Sequence, residues 1–280
     1  MSWPVVYLES GIDATNGSSA GFTRQSTFGL VQNGIGSMDV GRRLSPGSIA
    51  FVGIDPFNTN FSQASLDSSM GATNIRYSNM LALATEDFNG FQFMAGYSIE
   101  TGLKAADSPV QAGAFGTSNK FRAVSITVRY SSGPVLQTAM FDTYLSPSSK
   151  NSSSIKQWNV VGVYDFKVVK LHAAFGQNID GRISGTNTLG NVETTGGDAN
   201  TRGAVLFAPG ARTNQWMVGL SAAAGPQGKL FASIEQMRPG GDFTIGARTS
   251  QTISSVGYSY QFSKRTGAYI YYSYMIVYYH

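Results

Sequence analysis

The chain contains no cysteine and only two histidines among its 280 residues. Disulfide staples, zinc ribbons and thiol nucleophiles all need sulfur, so those classes fall away, and two imidazoles are too few for a histidine-rich metal centre. Charge is scarce as well. Asp, Glu, Lys and Arg supply 13% of the residues, against about 25% in ordinary soluble domains. Hydrophobic residues do not make up the difference, at 42%. No stretch approaches the ~18 consecutive apolar residues of a membrane-spanning helix. The first residues, Met1 to Leu8, lack the charged start and apolar core of about 7–15 residues found in a secretory leader; a mature or truncated chain accounts for that better than cytosolic residence. Basic residues outnumber acidic ones by 20 to 16, for a net charge of +4. They are scattered rather than run together, which argues against nucleic acid as a partner.

What the chain has in quantity is glycine, 33 residues, and aromatic rings, with 14 Tyr, 17 Phe and 3 Trp. That much adhesive area does not suit disorder. It suits many short strands, and a strand of ~9–11 residues is long enough to cross a bilayer as part of a closed barrel.

The hydrophobic period is two, and helical stripes are nearly absent. In Gln157–Phe166 one face carries Trp158, Val160, Gly162, Tyr164 and Phe166, while the other carries Asn159, Val161, Val163 and Asp165. Val169–Gln177 repeats the pattern, with Val169, Leu171, Ala173 and Phe175 opposed to Lys170, His172, Ala174 and Gly176. Eleven more segments are expected as strands: Val5–Gly11, Phe22–Val31, Ser37–Arg43, Thr73–Met80, Phe91–Ile99, Phe121–Tyr130, Val135–Tyr144, Gln215–Ala224, Lys229–Met237, Thr252–Phe262 and Gly267–Tyr278. The connections alternate in length. Ser131–Pro134, Lys167–Val168, Gly225–Gly228 and Ser263–Thr266 are tight, whereas 100–120, 145–156 and 178–211 are long. Short turns on one side and long loops on the other are the pattern of an outer-membrane barrel, whose lipid face is apolar and whose lumen is polar. A soluble tyrosine-rich sandwich gives no reason for the asymmetry. Tyr260, Phe262, Tyr269, Tyr271, Tyr272, Tyr274, Tyr278 and Tyr279 include rings at strand ends, where interfacial girdles form.

Catalytic signals are weak. Gly17–Gly21 fits the Gly-x-Ser-x-Gly spacing around Ser19, but it lies in a polar connection and not at a strand-to-helix elbow. Gly196 and Gly197 likewise fall in a polar loop without a phosphate-binding strand or helix. The expectation is a protein that is not an enzyme.

Thr23–Arg42 (TRQSTFGLVQNGIGSMDVGR) is followed by an irregular stretch, Leu44–Ala72, containing Asp55-Pro56-Phe57, then by Asn74–Tyr77 (NIRY) and Asn89-Gly90-Phe91. This order resembles the general porins of beta-proteobacteria, in which a constriction loop separates a Gly-Arg strand from one carrying Ile-Arg-Tyr. Tyr258–Thr266 (YSYQFSKRT) resembles the family's penultimate hairpin, and Tyr164-Asp165-Phe166 through Leu171 a mid-barrel hairpin. The resemblance implies an all-β, antiparallel transmembrane barrel of the 16-stranded type, about 13 strands of it present in one domain over 1–280, with the constriction loop at about 44–72. It implies residence in the outer membrane of a Gram-negative bacterium, contact with its lipid, a homotrimer, no cofactor, and passive diffusion of ions and small hydrophilic solutes through a water-filled channel. Val5–Gly11 looks like the family's third strand, and the final strand with its terminal Phe is missing, so the chain is expected to be truncated at both ends. A closed structural or adhesive barrel and a non-functional porin fragment are the alternatives.

By the same resemblance Arg42 and Arg76 match wall arginines facing the constriction loop, with Arg24 as a third, and Asp55 and Asp67 are the loop's acids. Guanidinium groups stay charged at any relevant pH, so such a cluster sets a standing positive potential that enriches inorganic anions. Arg129, Lys170, His172 and Asp165 fall on the water-facing side of their strands, and Glu235 is expected there as a vestibule charge. Arg43 and Arg122 are read as loop-root charges. No metal site is expected.

Overall fold

The protein is described by a computed structural model. It describes all residues except 13–15, 20, 59–60, 72–74, 103–120, 147–153, 185–187, 190–191, 194–203, 241–248 and 280. The strands are β1 (Ser2–Glu9), β2 (Gln25–Gln32), β3 (Gly36–Leu44), β4 (Arg76–Thr85), β5 (Phe91–Ser98), β6 (Arg122–Ser132), β7 (Val135–Leu145), β8 (Ile155–Asp165), β9 (Lys170–Ser184), a small hairpin of β10 (Thr188–Leu189) and β11 (Val192–Glu193), then β12 (Ala204–Ala224), β13 (Gly228–Gly240), β14 (Thr249–Ser263) and β15 (Thr266–Tyr279). Thirteen of them form one sheet in which every strand pairs with the next of the thirteen along the chain, from β1 to β15, β9 adjoining β12. All pairings are antiparallel, and β1 and β15 are the sheet's two edges.

The thirteen expected segments are thus thirteen strands, but several boundaries move. The strand expected at 73–80 runs from Arg76 to Thr85, and the expected long connection 178–211 is shortened by the extension of β9 to Ser184 and of β12 back to Ala204. Their pairing continues through Ala204↔Ser184 after an irregularity between Phe207 and Arg212. Most of the long connections 100–120 and 145–156, and Gly196 and Gly197, lie outside the described residues.

Burial alternates with period two. On β8, Gln157, Asn159 and Val161 are buried while Val160 is 53% exposed. On β9, His172 and Ala174 are buried and Phe175 is 49% exposed. Ile126, Val218, Leu230, Ile234 and Val256 continue the exposed apolar band across the neighbouring strands. The inner face is the polar one, with Ser125, Thr127, Thr138, Asn178, Ser221 and Ser233 all buried there. This inverts a soluble protein, as the lipid-facing and lumen-facing surfaces of a transmembrane barrel require. Aromatic pairs gather near the short turns: Phe91–Tyr130 at 4.7 Å and Tyr164–Phe166 at 4.5 Å are tilted, and Tyr260–Phe262 at 5.0 Å between ring centroids is edge-on.

The irregular segment between β3 and β4 does not stay at the rim. It contains a short helix, α1 (Pro46–Ala50), started by Ser45, whose hydroxyl accepts the Ser48 N–H at 3.0 Å, and two single 3-10 turns, Ser62–Ala64 and Leu66–Ser68. Phe51, Ile54, Leu66, Met70 and Ile75 from this segment cluster with Met80, Met140, Ile155 and Met217 from the inner wall. The buried core of the protein is therefore the contact between a loop and the inside of the sheet.

Val160→Lys places a charge in the middle of the exposed apolar band. It is expected to lower the stability of the protein folded into phospholipid vesicles by ~2–4 kcal/mol, the scale for lysine near the bilayer midplane. Urea unfolding from vesicles measures this, and an unchanged midpoint would contradict the assignment of that face to lipid.

Candidate functional site

The loop is fixed to the wall strand by strand. Near α1, the Gly47 N–H donates to Ser125 Oγ on β6 at 2.9 Å. A methyl group at Gly47 would overlap the Asp142 carboxylate on β7, so only glycine permits this approach. Ser45 and Ser125 lie beside that carboxylate, whose two oxygens are buried without a hydrogen-bond partner among the described residues. At the next turn of the loop the Ile54 carbonyl meets His172 Nδ1 on β9 at 2.6 Å, and His172 Nε2 lies 2.9 Å from Ser221 Oγ on β12. Phe57 packs edge-on against Phe231 of β13 at 4.8 Å, and Phe61 does the same against Tyr269 and Tyr271 of β15.

The far arm, Asp67–Gly71, is held most densely. Arg182 Nη2 on β9 donates to the carbonyls of Asp67 and Ser68 at 3.4 and 3.2 Å. Gln251 Nε2 on β14 reaches the Ser68 carbonyl at 2.7 Å, and the Ser69 hydroxyl donates to Glu235 Oε2 on β13 at 2.5 Å. The buried amides of Asn159, Asn178 and Gln215 surround the Gly71 backbone. Charged groups bury at acceptable cost only when hydrogen-bonded and faced by opposite charge. Arg182, 5% exposed, meets the first of these through the two loop carbonyls and Met237 Sδ, with the Asp67 and Glu235 carboxyl groups near enough to act on it.

The predicted basic residues gather elsewhere. Arg42 on β3 lies across from Ser26, its Nε donating to the Thr23 carbonyl at 2.5 Å and its Nη1 to Ser78 Oγ at 3.0 Å. Arg24, beside that carbonyl, pairs with Glu9 at 2.6 Å. Arg76 opens β4 opposite Leu44 and is buried. These three therefore meet at the long-loop end of β2, β3 and β4. Arg43 joins them, bonded to Asp39 two repeats of the alternation away on its own strand. Gly41 has φ +134°, and the register slips between Gly41 and Arg43, so counting by twos fails at the arginines.

Asp55 and Asp67 are not gathered with the arginines. Both are buried, at 1% and 2% exposure. Asp55 accepts the N–H groups of Phe57 and Leu66 at 2.8 and 3.0 Å, bracing the loop from within. Arg129 shares the phase of buried Ser125 and Thr127, and Lys170 shares that of His172. Lys170 pairs with Asp165 at 2.9 Å near a short turn. His172 is 2% exposed, under the loop, and is not a residue of the open water path. Glu235, expected as a vestibule charge, is fully buried beneath Ser69 because the loop covers it. Ser19 has Ser10 Oγ as its side-chain neighbour at 3.1 Å, and no histidine among the described residues bonds to it; Ala20 of that motif lies outside the described residues.

Sequence reasoning did not single out Arg182, Gln251, Asn159 or Asn178 as a loop anchor. Their signal was present in the polar phase of their strands, which a water-filled lumen explained equally well.

An apolar-outside, polar-inside antiparallel sheet with a loop folded onto its inner wall defines a porin-type transmembrane channel protein. The model of the Gram-negative porin family matches residues 5–276, and the chain belongs to that family. An outer membrane porin protein of Bordetella pertussis is 36% identical over 280 residues, the match covering 96% of this chain and 72% of the relative. Among solved structures, an anion-selective porin from Comamonas acidovorans superposes with a TM-score of 0.68 at 20% identity, covering 99% of this chain and 74% of that one. OmpT of Vibrio cholerae in its trimer form gives a TM-score of 0.62 at 13% identity over 94% of this chain and 72% of that one. The protein is thus an outer-membrane β-barrel porin.

Arg182→Met keeps bulk but removes the donors to the Asp67 and Ser68 carbonyls. Amide hydrogen exchange in 66–71 is expected to accelerate at least about tenfold, since hydrogen bonds from a charged donor are worth about 1.5–3 kcal/mol. Unchanged exchange there would show that the clamp does not hold this arm of the loop.

Proposed function

We propose that the protein is a passive channel for ions and small hydrophilic solutes with a preference for inorganic anions, in which the whole chain forms one barrel domain and the segment at about 44–72 is the constriction loop. The observation that carries the anion preference is an imbalance in how the charges are answered. Asp55 and Asp67 are buried, Asp55 accepting two loop amides and Asp67 lying by the Arg182 charge, whereas Arg42 has only neutral partners among the described residues, a backbone carbonyl and a serine hydroxyl. A guanidinium held by neutral groups keeps its full charge for the water path beside it. Arg24 and Arg43, each paired with a carboxylate, contribute less. Arg76 and Arg129 add to the same sign, and Lys170, paired with Asp165, adds less. The likeness to an anion-selective porin supports this reading.

The fold and family are those of a channel, and the buried Ser221–His172 contact does not favour catalysis, because the ring's other nitrogen faces a backbone carbonyl rather than a carboxylate. A homotrimer in outer-membrane lipid is part of the proposal, supported by the exposed apolar band and by the structural neighbour in trimer form. Chemical cross-linking in detergent checks it: a ladder ending at three subunits is expected, and a purely monomeric pattern would contradict it.

Replacing both Arg42 and Arg76 by Gln is expected to move the reversal potential under a potassium chloride gradient toward cation preference. Planar-bilayer recordings read this directly, and an unmoved potential would remove these two arginines from the selectivity account.

A further inference from the structure

The short-turn end of the inner wall carries a second set of basic groups that the arginine cluster does not explain. Lys229 begins β13 on the phase of Phe231, Ser233 and Glu235, all buried on the inner face, and its cross-strand neighbour on β14 is Ser259. Between the β12–β13 and β14–β15 turns lies a recess of about 550 Å³, lined by Lys229, Lys264, Gln227, Gln261, Ser259 and Ser263 among others. No carboxylate is among the residues lining it. The recess is thus bounded by two ammonium groups, two amides and two hydroxyls, a set of donors matched to oxyanions.

The local bonding leaves those donors facing the recess. Gln227 Oε1 is occupied by the Tyr260 hydroxyl at 2.5 Å, which directs its NH₂ away from that contact, and Gln261 uses one amide hydrogen on the Ser263 carbonyl. Among the described residues neither Lys229 nor Lys264 forms an ion pair within 4.0 Å, in contrast to Lys170 with Asp165. Lys170 lies close enough to act on Lys229 as a like charge. The acids that face this region are Asp165, held by Lys170 and the Lys167 N–H, and Asp55, held by two loop amides. Glu235 lies deeper, under the loop.

We propose that this recess is a second anion subsite at the short-turn mouth, taking small multivalent oxyanions of the phosphate class from the water path. The proposal rests on the anion-preferring reading above and extends it from a single constriction to a second stage. A multivalent anion would pass the arginines at one end and be met again by Lys229 and Lys264 at the other.

The test is block of single-channel chloride current by inorganic pyrophosphate, added first to one chamber and then to the other. Block is expected to be stronger from the short-turn side. The K229Q/K264Q double variant is expected to raise the half-blocking concentration about fivefold, the scale of two solvent-exposed charge contacts, and K229R/K264R to restore it. Equal block from both sides, or block indifferent to both variants, would overturn the subsite. The same channels give the chloride-over-potassium preference before pyrophosphate is added, so cation preference with the side-specific block intact would reject the parent reading and keep the recess. Repeating the block in bilayers containing phosphatidylglycerol separates the sources of phosphate: abolition by the anionic lipid would assign the recess to headgroups and overturn a soluble-anion site. Calorimetric titration of the detergent-folded protein with pyrophosphate provides a reading without current, and equal heats for wild type and K229Q/K264Q would also overturn the proposal.

Discussion

A bilayer core offers no water to an unpaired backbone amide, and each one left there costs several kcal/mol. Everything else in this protein follows from that constraint. It requires each strand to be satisfied by its neighbours, which the antiparallel order from β1 to β15 provides for every strand between the two edges. Because side chains alternate across a strand, one ladder then presents two surfaces to two solvents. Val160, Phe175, Val218, Ile234 and Val256 go to lipid, and Asn159, His172, Ser221, Ser233 and Ser255 go inside. The scarcity of charge noted in the sequence is the same fact in composition: half of the strand surface cannot carry any.

The polar interior created by this arrangement is put to two uses. Along β6–β9 and β12–β15 it grips the loop, through Ser125, Asn159, His172, Arg182, Gln215, Glu235 and Gln251, so that a segment rich in Ser, Gly and Phe becomes the most deeply buried part of the molecule. At the long-loop end of β2–β4 arginines gather instead, Arg24 and Arg43 on carboxylates and Arg42 on a backbone carbonyl. On the proposed reading the loop narrows the path from one side, and its acid Asp55 is used in bracing it from within. On the facing side Arg24 and Arg43 are paired with carboxylates and Arg42 has only neutral partners among the described residues, so the field proposed for the path depends on how charges are paired as much as on how many the chain contains.

Much of the fold could be read from period two alone, since the thirteen alternating segments correspond to thirteen strands and the contrast between tight turns and long connections gave the direction of the sheet. Boundaries failed where the alternation is broken. At β4 the positive φ of Asn79 and the slip beside Gly41 shift the pairing, so the segment expected to end at Met80 continues to Thr85. At β9 and β12 polar and glycine-rich stretches such as Asn178–Ile183 look like loop but pair as strand. The site was less legible. Arg24, Arg42 and Arg76 were identifiable because short motifs carry them, yet which face they take depends on a one-residue irregularity that no pattern count reveals. Glu235 and His172 were assigned to water because their phase is polar; only the three-dimensional course of the loop shows that they lie under it.

The claim on which the account rests is that this chain forms an open pore whose field favours anions. The direct measurement is the zero-current potential of the reconstituted wild-type protein in a planar bilayer separating concentrated from dilute potassium chloride. Discrete conductance steps with a potential of the sign set by chloride are predicted; steps with the sign set by potassium would contradict the assignment of charge developed from Arg42, Asp55 and Asp67.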